Sequence, residues 1–514
     1  MYPGNHLAAA ADKAALIRPS TGESVTYAEL MARSTKIANH LRELGLRPGD
    51  TVAVVSDNDL RVFDVYWAAV RSGMYVTVVN NHLTAPEVNY ILNDCGAGVL
   101  FASALVADAV ALAAEVIDRS DRRIAWGVGG IDGFTSYDEV LAVASDAPLT
   151  TQPRGTDMLY SSGTTGRPKG IRPPLPEGQV DEIPDTVSAV FGPFYGFGPD
   201  TVYLSPAPVY HAAPLRYCAM VASLGGTVVM MDRFEPEEAL RLIEEYSITH
   251  SQWVPTMFVR MLKLPDQVRG RYDLTSMRAA IHAAAPCPAE VKRKMIEWWG
   301  PVIQEYYAAT EAAGVTLIGP QDALERPGSV GRAALGVIHI CDDDGNDLPV
   351  GEVGTVYFER DFAAFTYHND PEKTRASRHP QHEFWATTGD LGYLDEEGFL
   401  YLTDRKAFMI ISGGVNIYPQ ESENVLINHP AVSDVAVLGL PDDDLGEVAR
   451  GFVELVDGVE PTPELADDLI AYATEQLAAY KVPRSIEFLD DLPRTPTGKL
   501  VKGELRKRVL TPVR

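Results

Sequence analysis

The chain has 514 residues, 46% hydrophobic and 22% charged, and a formal net charge of −27. That is ordinary globular composition, with length for roughly two to four domains, and it excludes a disordered, collagen-like or coiled-coil chain. So acidic a surface disfavours general attraction to nucleic acid or an anionic membrane, although a few local donors can still bind a phosphate. Thr51 to Val55 reads as a strand, and Leu60, Phe63, Trp67 and Val70 then recur at helical spacing before Gly73. Tyr75 to Val79 is a second strand. Thr84 and Glu87 have capping-box spacing before a helix face at Val88, Ile91 and Leu92, and Gly98 to Phe101 is a third strand. This alternation predicts a parallel sheet covered by helices, and a similar rhythm returns from Thr227 to Ile281.

Further along, Pro and Gly cluster between Arg172 and Pro199, which reads as a long excursion over the surface. The stretch from Tyr217 to Met231 is apolar but broken by Gly225-Gly226, too short for a membrane span. No basic start followed by an apolar core marks a signal peptide, and Cys95, Cys218, Cys287 and Cys341 are too far apart for a C-x-x-C site. A reducing, cytoplasmic location is therefore expected. A Gly- and Asp-turned β region ends near Thr403. Beyond it Val435 to Leu438 and Gly451 to Leu455 are strand-like, Thr462-Pro463 opens a helix to about Tyr480, and Ile486 to Leu489 is a last strand. The expected fold class is α/β: a large N-terminal domain (1–403) of parallel-containing sheets covered by helices plus a β region, then a small mobile α+β domain (404–514).

The segment Tyr160-Ser161-Ser162-Gly163-Thr164-Thr165-Gly166-Arg167-Pro168-Lys169-Gly170 is the most informative. Its glycines permit tight turns, and its hydroxyls, N–H groups and two cations suit an oligophosphate. It is not a Walker A loop, because Pro168 stands where glycine is required and Gly170 follows the lysine. Read alone it is equally a flexible turn. Four further motifs follow in order: Tyr306-Tyr307-Ala308-Ala309-Thr310-Glu311; Thr387-Thr388-Gly389-Asp390; Asp404-Arg405-Lys406 with Ser412-Gly413-Gly414-Val415-Asn416-Ile417-Tyr418; and Pro493-Arg494-Thr495-Pro496-Thr497-Gly498-Lys499.

In that order and spacing the motifs resemble the adenylate-forming superfamily: acyl-CoA synthetases, aryl-CoA ligases, luciferase-like enzymes and peptide-synthetase adenylation domains. The resemblance runs from about Thr26 to Lys502. It implies an ATP-dependent carboxylic acid–CoA ligase that uses Mg²⁺, with ATP, coenzyme A and a small acid as partners. By resemblance, Ser161, Ser162, Gly163, Thr164, Thr165, Gly166 and Lys169 hold the β- and γ-phosphates. Thr310 contacts the α-phosphate, and Glu311 ligates the metal. Tyr307 stacks on adenine beside Ala284, Asp390 takes the ribose hydroxyls, and Arg405 reaches ribose or phosphate. Lys499 bridges the acid and the α-phosphate. Gly413 and Gly414 lie in the loop lining the pantetheine tunnel, and His211, Trp253, Val254, Met257, Ala283 and Tyr306 line the acid pocket. The C-terminal domain of such enzymes rotates between half-reactions, bringing in the lysine for the first and opening the tunnel for the second.

Three positions depart from the pattern. Ala407 and Phe408 replace the charged residues common after the boundary arginine, and Ala308 replaces a common glycine. The altered hinge keeps open an amide synthetase that passes the acyl group to an amine. A luciferase-like oxygenase and a non-catalytic nucleotide-binding regulator are more distant, and retention of Lys499 argues against the regulator. His379 and His382 have H-x-x-H spacing, but Pro380 breaks any helix there, so they read as loop residues and not metal ligands. The apolar pocket residues suggest an apolar tail or ring on the acid. Oligomeric state is not legible, with a homodimer the general prior.

Overall fold

The computed structural model describes residues 1–161, 168–405, 408–412, 415–442, 445–494 and 500–510. The chain is mixed α/β and divides into two compact units. The first comprises Met1–Trp253, Leu264–Ala280 and Ala364–Thr374, and the second Val254–Lys263, Ile281–Ala363 and Arg375–Arg514.

The first unit contains a six-stranded, wholly parallel sheet. Its order is Thr135–Ser136, Arg123–Trp126, Ala97–Ser103, Thr51–Val55, Tyr75–Val79, Thr156–Asp157. Every residue of Thr51–Val55 and Tyr75–Val79 is buried, as expected of central parallel strands covered on both faces. The intervening helices Arg61–Val70 and Ala85–Asp94 follow the sequence periodicity, and the Thr84–Glu87 capping box forms as read. In a second sheet of this unit, His250–Trp253, Val202–Ser205, Thr227–Met230 and Ala14–Arg18 run parallel, and Glu23–Thr26 closes as a hairpin. A small antiparallel sheet joins Leu159–Ser161, Lys169–Arg172 and Thr366–Tyr367.

The second unit begins its β region with Ile303–Ala308 and Val315–Ile318. These continue antiparallel through Ser329–Leu335, Leu400–Arg405, Asp390–Leu394, Gly354–Glu359 and Val337–Cys341. Its C-terminal part is a separate sheet around the long hairpin Val432–Asp442 and Gly446–Leu455, with Ile486–Phe488 parallel at one side. Helices Pro419–Leu426 and Pro463–Thr474 cover it, and its main core holds Ile410, Leu426, Val435, Val437, Val453 and Leu469.

Two local expectations are corrected. The Pro- and Gly-rich stretch after Arg172 contains a helix, Thr186–Tyr195, rather than an unbroken surface excursion. Asp185 caps it by accepting from the Ser188 N–H at 2.8 Å, Gly196 ends it at φ +72°, and Phe191 and Tyr195 are buried and stacked. The helix opened by Pro463 stops at Thr474 instead of about Tyr480. The Leu477 N–H still bonds the Ala473 carbonyl at 2.9 Å, but Ala478 is extended and Leu477 turns onto the C-terminal core.

Asp64 is buried within helix Arg61–Val70, accepting from the Tyr137 hydroxyl at 2.8 Å. Burial pushes its carboxyl up to about 7, against 3.8 ordinarily, despite Arg33 nearby. The folded chain therefore keeps a proton that the unfolded chain has already lost. The stability it contributes is complete below pH 3.8 and falls as pH rises to about 7. Asp64→Asn should flatten this decline, raising the thermal midpoint relative to wild type at pH 8 but not at pH 4; equal shifts at both pH values would show that Asp64 does not titrate in this interval.

Candidate functional site

Strand Ile303–Ala308 pairs with Val315–Ile318 so that Tyr307 faces Thr316. The connection carries Thr310 and Glu311, both half-buried, and turns at Ala312 with φ +51°. The Arg360 guanidinium donates to the carbonyls of Ala312 (3.2 Å) and Ala313 (3.4 Å), holding a turn that an alanine adopts only at a cost. Gly314 has no room for a side chain: a Cβ would lie 1.9 Å from the Phe358 ring. Phe358 is thereby brought to 6.2 Å from the Tyr307 ring, centroid to centroid.

The Tyr307 hydroxyl donates to Asp390 Oδ2 at 2.6 Å, and the Thr388 hydroxyl donates to the same oxygen at 2.7 Å. Gly389, at φ +84°, makes the turn before it, and its N–H bonds the Thr387 hydroxyl at 3.0 Å. Asp390 opens strand Asp390–Leu394 and pairs across the sheet with Arg405, the last residue of Leu400–Arg405. Two motifs separated along the chain thus meet at one buried carboxylate, and the backbone of a third runs beside it.

The strand Ala279–His282 delivers Ala283, buried, and Ala284, exposed and left-handed at φ +74°. Left-handed alanine is uncommon, and such backbone strain gathers at functional sites. Beneath this segment Lys292 and Glu305 form a buried ion pair. Burial pulls the Lys292 ammonium down, and the Glu305 carboxylate more than offsets it, leaving the group above its ordinary value. His282, fully buried and facing Lys292, is held well below its ordinary value by burial and by that positive charge, so it is neutral. Val254, Met257 and Tyr306 are buried in this same unit.

In the first unit, Ser161 and Lys169 face each other across the antiparallel pair at the ends of the hydroxyl-rich loop. The Tyr160 phenol donates to Asp94 Oδ2 at 2.5 Å, and the Asn369 amide donates to Asp94 Oδ1 at 3.2 Å. Gly170 fits where a Cβ would meet Tyr160 at 2.9 Å and His368 at 3.1 Å. His211 is half-buried and precedes helix Ala212–Ser223, its ring 4.4 Å from that of Tyr210. Trp253 is fully buried, its indole donating to the Ser251 hydroxyl at 2.5 Å.

Ser162, Gly163, Thr164, Thr165, Gly166, Ala407, Gly413, Gly414 and Lys499 lie outside the described residues, and Arg405 is described through its backbone. His379 and His382 are loop residues against Trp385, with His382 stacked on the indole at 4.1 Å and His379 bonded to the Gly345 carbonyl at 2.8 Å. The four cysteines are buried free thiols, and burial pushes Cys95, Cys218 and Cys287 up to about 12. No described helix is long and apolar enough to cross a membrane. Sequence reasoning missed Phe358, Arg360, Lys292 and Glu305. The buried Lys–Glu pair left no short-range pattern, whereas Gly314 beside the Thr-Glu pair was a visible sign of a close approach.

The family profile for AMP-binding enzymes matches residues 5–368, and that for the AMP-binding enzyme C-terminal domain matches 421–499. The chain is 32% identical to the long-chain-fatty-acid–CoA ligase FadD13 of Mycobacterium tuberculosis, over 96% of this chain and 95% of the relative. It is 33% identical to a feruloyl-CoA synthase of Amycolatopsis sp, over 95% and 94%. Among solved structures, ATP-bound MatB from Rhodopseudomonas palustris superposes with a TM-score of 0.82 at 29% identity, covering 99% of both chains.

Glu305→Gln should strand the buried Lys292 charge and cost about 3–5 kcal/mol in denaturant unfolding. Adding Lys292→Met should recover most of that loss; a single variant as stable as wild type would show that the pair contributes nothing.

Proposed function

The chain belongs to the AMP-binding enzyme family, and from that premise we propose which residues carry each half of its reaction. It is an AMP-forming acid–CoA ligase. A carboxylate oxygen attacks the α-phosphorus of ATP and pyrophosphate leaves. The coenzyme A thiol, losing its proton, then attacks the acyl carbon and AMP leaves. The observation that supports the assignment of residues is the meeting of the Tyr307 and Thr388 hydroxyls at the Asp390 carboxylate, with the backbone of Arg405 paired across the sheet from it.

A carboxylate resists nucleophiles because of its charge, and joining it to AMP supplies a good leaving group. The first step brings two anions together, so cations and oriented donors dominate the barrier. We assign the β- and γ-phosphates to the 161–169 loop and the α-phosphate to Thr310. Adenine goes to Tyr307 with Ala284, and ribose to Asp390, whose two oxygens suit a diol. Arg405 reaches ribose or phosphate, and Lys499 neutralises charge where acid and phosphate meet; losing such a contact costs about 3–4 kcal/mol at the transition state. Glu311 would hold Mg²⁺. A single carboxylate in a half-buried turn, next to a threonine hydroxyl, fits a hard ion that completes its shell with phosphate and water oxygens. When bound, the ion would neutralise phosphate charge.

His211, Trp253, Val254, Met257, Ala283 and Tyr306 are assigned to the acid. Their apolar character favours an alkyl or aryl acid over an amino acid, in keeping with relatives named for a long-chain fatty acid and for a feruloyl group. Gly413 and Gly414 are assigned to the pantetheine arm. We place the boundary of the mobile C-terminal domain at 403/404, supported by hydrophobic cores built wholly from residues after it. Four buried free thiols suit a reducing cytoplasm, and a homodimer is the default assembly.

The test is a panel of decanoate, palmitate, benzoate, ferulate and phenylalanine with ATP and Mg²⁺. Pyrophosphate release and product mass are read with coenzyme A, with amines and with neither. An alkyl or aryl thioester is expected, and Lys499→Ala should abolish acid-dependent release while ATP still binds. Amide as the only product, or full release by Lys499→Ala, would overturn the assignment. Asp390→Ala should weaken ATP binding about 10- to 100-fold by calorimetry, the worth of hydrogen bonds to a charged group; unchanged affinity would remove it from the ribose.

A further inference from the structure

The turn Ser56–Leu60 follows strand Thr51–Val55 and carries Asn58, only 4% exposed. Its amide nitrogen donates to the Ala207 carbonyl at 3.2 Å and to the Met231 carbonyl at 2.7 Å. Its amide oxygen accepts from the Val209 N–H at 2.9 Å. Ala207 and Val209 belong to the segment between strand Val202–Ser205 and helix Ala212–Ser223, and Met231 directly follows strand Thr227–Met230. All three strands run parallel with their neighbours, and Asn58 joins them just past their carboxyl ends, where open α/β sheets bind ligands.

The segment is buried, with Ala207, Val209 and Tyr210 in the core, and part of its backbone is satisfied through this one side chain. Pro206 and Pro208 have no N–H to give, and Asn58 satisfies backbone groups on both sides of Pro208. The His211 N–H bonds the Pro208 carbonyl at 3.2 Å, so fixing 207–209 also fixes where His211 enters the helix. The turn itself is docked independently. Arg18 reaches Asp57 at 3.0 Å, Asp59 at 3.4 Å and Asp232 at 2.7 Å. Removing the Asn58 amide therefore unpairs the Ala207 and Met231 carbonyls and the Val209 N–H, loosening the segment, while Arg18 still holds the turn.

We propose that Asn58 is a positioning residue for the acid substrate, acting through the 206–210 segment on His211. This rests on the assignment of His211 to the acid. An amide is the chemistry the position requires, since it offers two donors and an acceptor in one plane. An aspartate has the same shape but would set a carboxylate against two carbonyl oxygens.

The test uses the full chain and the fastest acid of the panel above. Acid KM, ATP KM and kcat are measured for wild type, Asn58→Asp, Asn58→Ser, His211→Ala and Asn58→Asp/His211→Ala. Asn58→Asp should raise acid KM about tenfold or more with ATP KM held within about twofold, and Asn58→Ser should do so less. The double variant should be no worse than His211→Ala by more than about twofold, because Asn58 acts through that residue. An unchanged acid KM in Asn58→Asp, parallel losses toward acid and ATP, or multiplied losses in the double variant overturn the inference. So does an Asn58→Asp chain that fails to fold, because the residue then holds the whole unit and not the segment. An unchanged acid KM in His211→Ala instead refutes the assignment of His211 to the acid. An impaired His211→Ala beside a silent Asn58→Asp refutes the positioning role alone.

Discussion

The carboxylate of Asp390 is the point on which the candidate nucleotide site depends. Buried, it needs donors, and it takes them from Tyr307 on one strand and Thr388 on its own approach. A free tyrosine ring can swing; one whose hydroxyl is tied to a neighbouring strand presents a fixed face. Phe358 behind the ring and Gly314 beneath Phe358 remove the remaining freedom. The antiparallel register then decides what else is near, setting Arg405 directly across from Asp390. One hydrogen-bonded carboxylate thus ties the Tyr307 strand to the Thr388–Asp390 turn, and the sheet register adds the strand that ends at Arg405.

The helix starts and central strands were legible because their causes are local. Thr84 and Glu87 cap each other within one turn, and Tyr75–Val79 is apolar throughout because both faces are covered. The helix at Thr186–Tyr195 escaped because Pro and Gly read as breakers. Pro193 is carried within it and Gly196 ends it, and Asp185 at its start was the overlooked sign. The motif residues of the proposed site were assigned by resemblance. Their supports were not, because Arg360, Phe358, Lys292 and Asn58 act on residues far away in sequence, and no periodicity announces such a bond.

Strain and buried charge share the same neighbourhood. Ala284 and Ala312 adopt left-handed conformations at the two ends of the 284–312 segment, and Glu305, on the strand Ile303–Ala308 between them, pairs with the buried Lys292. Each is unfavourable alone, so each persists only where surrounding packing over-determines it. Arg360 supplies that for Ala312 by capping the carbonyls of the turn.

An acidic chain that gathers ATP, a carboxylate and coenzyme A faces a repulsion that net charge only worsens. The resolution is local. Exposed arginines are largely engaged by neighbouring carboxylates, as in Arg241 with Glu238 and Arg293 with Glu290, and contribute little field beyond their own pairs. The cations for the anionic substrates are proposed to come from particular segments, the 161–169 loop and Lys499. On the proposed division at 403/404, Lys499 belongs by sequence to the C-terminal part, so the charge proposed to offset repulsion in the first half-reaction would be free to leave before the second. Stationary positive charge would serve the first step and then hold AMP against release; charge on a separately folded part serves only the step that needs it.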